Sequence, residues 1–168
     1  SFVMTATPLA MLACGFAVDQ ATDAIRWHVV AMYLPSFFVG GLIARLGRER
    51  MALAGLVVMI GCGAVALSGL ALAQFIVAMM LLGFGWNLAY VSATAIVTDC
   101  HRPEERGKVQ ALNDLVIFGF VALCSLLSGV VLTLGGWSSV NAILIVLVAI
   151  ASLIVLLLPR LGRRPAAA

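Results

Sequence analysis

The sequence GGLIARLGRER, residues 40–50, lies between two long apolar runs and decides how the rest of the chain is organised. Its three arginines, Arg45, Arg48 and Arg50, are so close together that the segment cannot lie in hydrocarbon, where each charge is costly. The segment is therefore predicted to be a connection at a membrane surface. Basic connections are retained on the cytoplasmic side, so this one also predicts the orientation of the runs that flank it.

Composition indicates the class of protein. Hydrophobic residues make up 64% of the 168 residues and charged residues 10%, with a mean hydropathy of +1.17. A soluble domain is about half apolar and a quarter charged, so the chain is predicted to be an integral membrane protein. Four cysteines scattered singly form no disulfide or metal-binding pattern. Because the basic residues lie only between apolar runs, we expect no nucleic-acid partner.

Six apolar runs are long enough, or nearly so, to cross a bilayer as helices of about 20 residues. They are predicted at residues 1–18, 27–44, 51–70, 74–98, 108–134 and 138–158. No run alternates polar and apolar residues, and backbone in lipid must satisfy its own hydrogen bonds, so all six are predicted to be helices. Pro35 is expected to kink the second helix. The fold class is thus an all-α membrane protein with six transmembrane helices.

The positions of the positive charges give the topology. Arg26 is the one exception among ten lysines and arginines; the others lie in the second connection, around the fourth connection, or in the C-terminal tail. The third and fifth connections carry no charge. Both ends of the six-helix chain are therefore predicted to be cytoplasmic. We expect the membrane to be a bacterial inner (cytoplasmic) membrane.

Two cytoplasmic connections resemble those of a known family. Residues 40–50 are similar to the pattern G-x-L-x-D-R-x-G-R-[RK] of the major facilitator superfamily, although Ala44 replaces the aspartate and Glu49 the second basic residue. The matching positions are Gly40, Leu42, Arg45, Gly47, Arg48 and Arg50. The sequence PEERG at residues 103–107 resembles the P-x-E-R-G segment between the fourth and fifth spans of either half of these transporters. A short interfacial helix is expected there.

The resemblance implies an architecture and partners. Each half of such a transporter has six spans, built as two inverted three-helix repeats. Ala44, and the lack of an arginine before Gly83 and Gly85, resemble the C-terminal half. Residues 1–168 are therefore expected to form a single six-span bundle, spans seven to twelve of a longer transporter. Its expected partners are membrane lipid, the N-terminal six-helix half and a small-molecule solute, without any cofactor or metal.

Polar side chains within apolar runs are costly and mark candidate sites. In the fourth run, Gly83, Asn87, Tyr90 and Thr94 follow helical spacing along one face, with Trp86 beside them. In the resembling family, the first and fourth spans of each half line the central cavity. The implied substrate-binding residues are Met4, Thr7, Met11, Trp86, Asn87 and Tyr90. The alternative role of these residues is hydrogen bonding or packing between helices.

Asp114 is the one carboxylate inside an apolar run, about 9 Å from Lys108 along a helix axis. With Asn113 it could form a structural latch to Arg45 or Arg48. Alternatively, the carboxylate could exchange protons with the cytoplasm.

His28 shares a stripe with Met32, Ser36 and Gly40 in the second run. Its imidazole could act as a proton-linked gate. Its nearness in sequence to Asp23 and Arg26 favours an ordinary interfacial cluster as the alternative.

The predicted gating motif consists of Gly40, Arg45, Gly47, Arg48 and Arg50. These residues could hold the cytoplasmic helix ends together in one conformation and release them in another. The alternative is that they serve only as the orientation signal.

We predict a secondary active transporter of a small solute, working by alternating access, driven by protons and able to export its solute. Two alternatives remain open: a non-transporting membrane assembly protein with a transporter-like fold, and a half-size transporter acting as a homodimer. An enzyme is not expected, because no paired carboxylates, nucleophile–histidine arrangement or phosphate-binding glycine loop is present.

Overall fold

The computed structural model describes residues 1–98 and 102–162. It contains α1 (Phe2–Ala13), α2 (Val18–Tyr33), α3 (Ser36–Leu46), α4 (Arg48–Leu67), α5 (Leu72–Thr98), a 3-10 turn (Pro103–Glu105) and a last helical element, Arg106–Gly162. Gly136, with φ 69° and ψ −177°, interrupts that element, which we therefore divide into α6 (106–135) and α7 (137–162). The described residues form helices and turns only, which confirms the all-α prediction. The predicted basic tail beyond residue 162 and residues 99–101 of the fourth connection lie outside the described residues.

Length and hydropathy allow three of the described helical elements to cross a membrane: Arg48–Leu67, Leu72–Thr98 and Arg106–Leu157. The bent pair α2–α3 can form a fourth span, and α1 is a shorter apolar helix. The 52 residues of Arg106–Leu157 would extend roughly 78 Å as one helix, against a hydrocarbon core of about 30 Å. The break at Gly136 therefore separates two spans, where the sequence predicted the boundary between its fifth and sixth helices.

The first connection lies earlier in the chain than predicted. The sequence placed it at residues 19–26, whereas α1 ends at Ala13 and α2 begins at Val18. Gly15 adopts a positive φ of 85° after α1, and the Gln20 side chain accepts a hydrogen bond of 3.0 Å from the Ala17 N–H at the start of α2. Hydropathy excluded Asp19 from the span, but an acidic residue stabilises the positive end of a helix.

The kink predicted at Pro35 is confirmed. α2 ends at Tyr33, α3 begins at Ser36, and the two helices are bent by 44°. Proline has no N–H with which to continue the helical ladder, and its ring crowds the preceding turn. The Pro35 carbonyl accepts a hydrogen bond from the Val39 N–H at 2.9 Å, which starts α3.

The helices pack side by side in the order α6, α1, α2, α5, α4, α7. Their main core surrounds Phe75 and Met79 of α5 and includes Met11, Cys62 and Val140. α4 and α5 approach each other closely. A Cβ built on Gly55 or on Gly85 would lie 2.7 Å from the carbonyl oxygen of the other glycine, so only glycine permits this contact. Small residues allow helices in lipid to approach in this way.

Candidate functional site

A cavity of about 380 Å³ lies where α1, α2, α3, α5 and α6 meet. This volume falls within the range of about 300–1,000 Å³ that is typical of small-molecule sites. α5 supplies the longest wall, through Leu82, Trp86, Asn87, Tyr90 and Val91. The remaining lining residues are Ser1, Met4, His28, Met32, Tyr33, Ser36, Phe118 and Val121.

Three aromatic rings form a ladder along the cavity wall. Trp86 and Tyr90, one turn apart on α5, stack with ring centroids 5.9 Å apart and an interplanar angle of 15°. The Tyr90 ring then meets Phe118 of α6 at 6.4 Å and 52°. Both separations lie within the range of about 4.5–7 Å in which aromatic pairs attract. The ladder gives the cavity an extended π surface suited to a flat apolar solute.

Asn87 places an amide beside this ladder. Its side chain is only 7% exposed, and its Nδ2 donates a hydrogen bond of 2.7 Å to the Ser36 hydroxyl at the start of α3. Within the described part of the chain, the buried Asn87 Oδ1 has no hydrogen-bond partner. The kink at Pro35 thus presents Ser36 to α5, and Asn87, a residue of the cavity lining, keeps one buried acceptor atom without a partner in the described structure.

His28, one of the cavity-lining residues, joins α2 to α5. Its Nδ1 lies 3.0 Å from the Met79 carbonyl oxygen, and because a carbonyl can only accept, Nδ1 carries the hydrogen. Gly83 makes the approach possible, since a Cβ there would collide with the His28 carbonyl oxygen and lie 3.0 Å from the Met32 nitrogen. The expected cluster of His28 with Asp23 and Arg26 is not formed: the latter two pair with each other at 2.7 Å on the exposed surface.

The structure brings Met4, Trp86, Asn87 and Tyr90, which the sequence assigned to one site, together at the cavity and adds His28 to them. Their role in binding a substrate stays a prediction. Thr7 and Met11, which the sequence grouped with them, do not line this cavity, because both lie in the helix core. The Thr7 hydroxyl donates to the Val3 carbonyl at 2.8 Å and lies 3.3 Å from the Met79 sulfur. The face of α1 that carries Thr7 packs towards α5, whereas Met4 lies at the cavity.

Asp114 lies near the cavity but makes no latch. Its Oδ1 accepts hydrogen bonds from Gln110 at 3.2 Å and Asn113 at 3.3 Å, both on α6. In the described residues, neither a hydrogen bond nor an ion pair joins Asp114 to Arg45 or Arg48, because α6 packs against α1 while those arginines lie at the far ends of α3 and α4. The group that instead interacts with the Asp114 carboxylate across the helices is the Tyr90 phenol.

The predicted gating residues surround a second, open hollow of about 720 Å³ at the junction of α3 and α4. Gly40, Gly47, Arg48 and Arg50 line it, and Arg45 lies in the last turn of α3 beside it. Gly47 turns the chain between the two helices with φ 89°, a conformation that favours glycine. The motif is therefore a compact helix–helix turn, separate from the cavity.

Sequence reasoning missed Phe118 and Val121, which complete the cavity on α6. Phe118 follows Asp114 by four residues, and Val121 follows Phe118 by three, a spacing that places the three side chains on one face of a helix. Ser36 lay in the stripe already associated with His28. In residues 1–98 and 102–162, no group of three His, Cys, Asp or Glu side chains is placed to hold a metal ion.

Comparison with known proteins now adds to this geometry. The chain is 45% identical over its whole length to the riboflavin transporter RfnT of Brucella anthropi, of which it covers 42%. It is also 34% and 33% identical to the MFS-type transporters YddS and YdeG of Bacillus subtilis, over 77% of this chain and 30% of each relative. The chain thus spans less than half the length of these relatives. No solved structure matches it.

The family model described as Major Facilitator Superfamily matches residues 1–168, the whole chain. The membrane-spanning helices, the basic turn between α3 and α4, and the relatives agree with that match. The chain therefore belongs to the Major Facilitator Superfamily.

Proposed function

We propose that the protein containing this chain is a secondary active transporter, not an enzyme, and that its solute is a flat aromatic molecule of the flavin class, with riboflavin the first candidate. The observation that carries the proposal is the Trp86–Tyr90–Phe118 ladder on the cavity wall. A flavin ring is planar, with broad apolar faces and one edge of polar atoms. The ladder offers a stacking surface for such a face, and Asn87 offers a polar atom for the edge.

The similarity to RfnT supports the same solute class independently of the geometry. That relative is named a riboflavin transporter, and the identity of 45% extends over every part of this chain that lines the cavity. The chain covers 42% of that relative, which supports its assignment as one six-span half of a longer transporter, working with an N-terminal half. Basic residues at the α3–α4 turn and at the start of α6 support cytoplasmic ends in a bacterial inner membrane.

Helix packing supports the two inverted three-helix repeats. If the first three spans correspond in order to the last three, α1 corresponds to α5 and the broken helix α2–α3 to α6. The contact between α2 and α5 then corresponds to that between α6 and α1, and both contacts are present. The contact between α4 and α7 corresponds to itself and is also present. Such repeats allow two access states to form by rocking around a fixed site.

Proton coupling is proposed through Asp114. Its carboxylate lies in the apolar part of the bundle and interacts with Tyr90, one of the ladder residues. A change of charge on Asp114 would therefore be felt at the solute site. His28, held by the Met79 carbonyl, is the second candidate. Export of the solute stays a prediction from the sequence.

The test is transport by the full-length protein in sealed vesicles. Labelled riboflavin should accumulate, an imposed pH gradient should accelerate it, and Asp114→Asn should remove the acceleration while binding persists. Accumulation that does not respond to a pH gradient would reject the proton-coupling proposal. Absence of both flavin transport and flavin binding would reject flavins as the solute class. As a matched control, Asp23→Asn removes an exposed carboxylate outside the cavity and should leave the gradient response intact.

A further inference from the structure

Of the two polar atoms in the Asn87 side chain, one has a hydrogen-bond partner in the described part of the chain and the other does not. Its Nδ2 bonds to Ser36 at 2.7 Å, while its Oδ1 is buried and has no partner among the described residues. A buried acceptor without a hydrogen bond is destabilising, so native proteins rarely keep one without a reason. The residue is more than nine-tenths buried and is one of those that line the cavity, so the side chain that carries the unpaired oxygen borders the proposed solute site.

A second buried asparagine, Asn141, has the same unpaired oxygen but lies away from the cavity, so it serves as a comparison for Asn87. Asn141 of α7 is fully buried, its Nδ2 donates to the Trp137 carbonyl at 2.9 Å, and its Oδ1 also has no partner in the described part of the chain. Asn141 lies at the α4–α7 contact and does not line the cavity. The two side chains share the same chemistry, but only Asn87 can meet a solute.

The Ser36 bond leaves Oδ1 as the amide atom without a partner in residues 1–98 and 102–162. Nδ2 donates one of its two hydrogens to the Ser36 oxygen, whereas Oδ1 can only accept. A solute group that pairs with Oδ1 must therefore be a donor. Trp86 and Tyr90, whose rings stack, line the same cavity as Asn87 and lie on the same helix, so a flat solute on the ladder would lie close to the amide.

We infer that Asn87 Oδ1 accepts a hydrogen bond from an edge N–H of the solute, and that Ser36 is the positioning residue that keeps the oxygen turned towards it. This inference rests on the proposed flavin site and narrows it. A flavin carries one such group, the N3–H of its pyrimidine ring, which lies between two carbonyls. The substrate class becomes flat heteroaromatic molecules with an edge N–H, and analogues alkylated there bind more weakly.

The experiment compares riboflavin with 3-methylriboflavin, which keeps the ring and lacks the N–H. Dissociation constants are measured from the quenching of flavin fluorescence by the full-length protein in detergent. Unaltered protein should bind the methyl compound about tenfold more weakly, the size of one lost hydrogen bond to a buried acceptor. This comparison needs no variant, so the inference stays testable if a variant fails to fold.

Asn87→Leu then separates hydrogen bonding from crowding, because leucine nearly keeps the volume while removing both polar atoms. The variant should bind riboflavin about tenfold more weakly than the unaltered protein. The ratio of the dissociation constants for 3-methylriboflavin and riboflavin should then be close to one. Ser36→Ala should lower the ratio as well, because the amide is no longer held. Asn141→Leu is the matched control and should leave the ratio at its unaltered value.

Equal affinity of unaltered protein for the two compounds would overturn the inference while leaving the flavin transporter intact. The inference would also be overturned if Asn87→Leu keeps the ratio of dissociation constants of the unaltered protein, or if the amide is turned over so that Nδ2 faces the solute. Absence of riboflavin binding by unaltered protein would overturn the proposed solute and this inference together, a result distinct from binding without discrimination.

Discussion

The two sides of α5 differ in how they meet the rest of the molecule. Towards α4, Gly85 brings backbone against backbone at Gly55, with no room for a single methyl group. Towards the cavity, Trp86, Asn87 and Tyr90 project large and polar side chains into space that no helix fills. In lipid, apolar side chains gain little by associating, so tight packing depends on small residues. The comparison teaches that α5 packs tightly through one face and lines the cavity with the other.

The largest effect is expected from a substitution at the tight contact between α4 and α5. In Gly55→Ala, the new Cβ would lie 2.6 Å from the Ala89 nitrogen and 2.7 Å from the Gly85 oxygen, both backbone atoms that cannot rotate away. We expect a loss of about 1–3 kcal/mol in stability or a failure to fold. The measurement is the thermal unfolding midpoint of the full-length protein in detergent. Gly61→Ala, on the same helix with nothing within 4 Å, is the control. Equal midpoints would contradict the close approach.

The next effect addresses the cavity side. Trp86→Ala removes one ring of the ladder, and we expect riboflavin affinity to fall by about 0.5–1.5 kcal/mol beyond the lost contact area. Titration of the flavin measures it. The unfolding midpoint should change far less than in Gly55→Ala, because Trp86 is partly exposed. A large fall in stability without weaker binding would show that the ladder is structural.

A smaller effect is expected at the contact between α7 and α4. The Trp137 Nε1 donates to the Ala66 carbonyl at 2.9 Å and joins α7 to α4, while its ring lies 5.1 Å from that of Phe75. Trp137→Phe keeps a ring and removes the bond, so we expect about 0.6 kcal/mol of destabilisation. Unfolding in detergent measures it, and flavin binding should be unchanged. Weaker flavin binding in this variant would mean that the two sides are coupled.

The smallest effect lies on neither side. Arg26 and Asp23 form a 2.7 Å ion pair with side chains 72% and 51% exposed. Exposed pairs contribute about 0–1 kcal/mol, so Arg26→Ala should leave both the unfolding midpoint and flavin affinity near those of the unaltered protein. A clear loss of flavin affinity would place this end of α2 in the solute path.

Sequence alone predicted the helical class, the kink at Pro35 and the break near Gly136, because each depends on local chemistry. Hydropathy gives long apolar runs, proline removes a donor, and glycine at a positive φ ends a helix. The same logic failed at residues 19–26, where charged residues outside an apolar run continue α2 as helix. Hydropathy measures burial in lipid, not where a helix starts.

The site was predictable on α5 and less so elsewhere. Asn87 and Tyr90 stand out because polar groups in a span are costly, and their spacing fixes a shared face. Thr7 looked similar, yet its hydroxyl bonds to the Val3 carbonyl within α1 and needs no other partner. Phe118 gave no signal of its own, since an aromatic residue in an apolar run is ordinary. Which helix faces which is decided by tertiary contacts such as Gly83 against His28.

The break at Pro35 also has a mechanical consequence. α3 is joined to α2 only through this bend and carries the basic turn at one end and Ser36, the partner of Asn87, at the other. It can thus act as a lever about 16 Å long, pivoting beside the amide. A swing of roughly ten degrees would shift its basic end by about 3 Å, while Ser36, close to the fulcrum, would turn more than it travels. Motion of the basic turn would therefore reach the cavity as rotation of a single hydrogen-bonded pair.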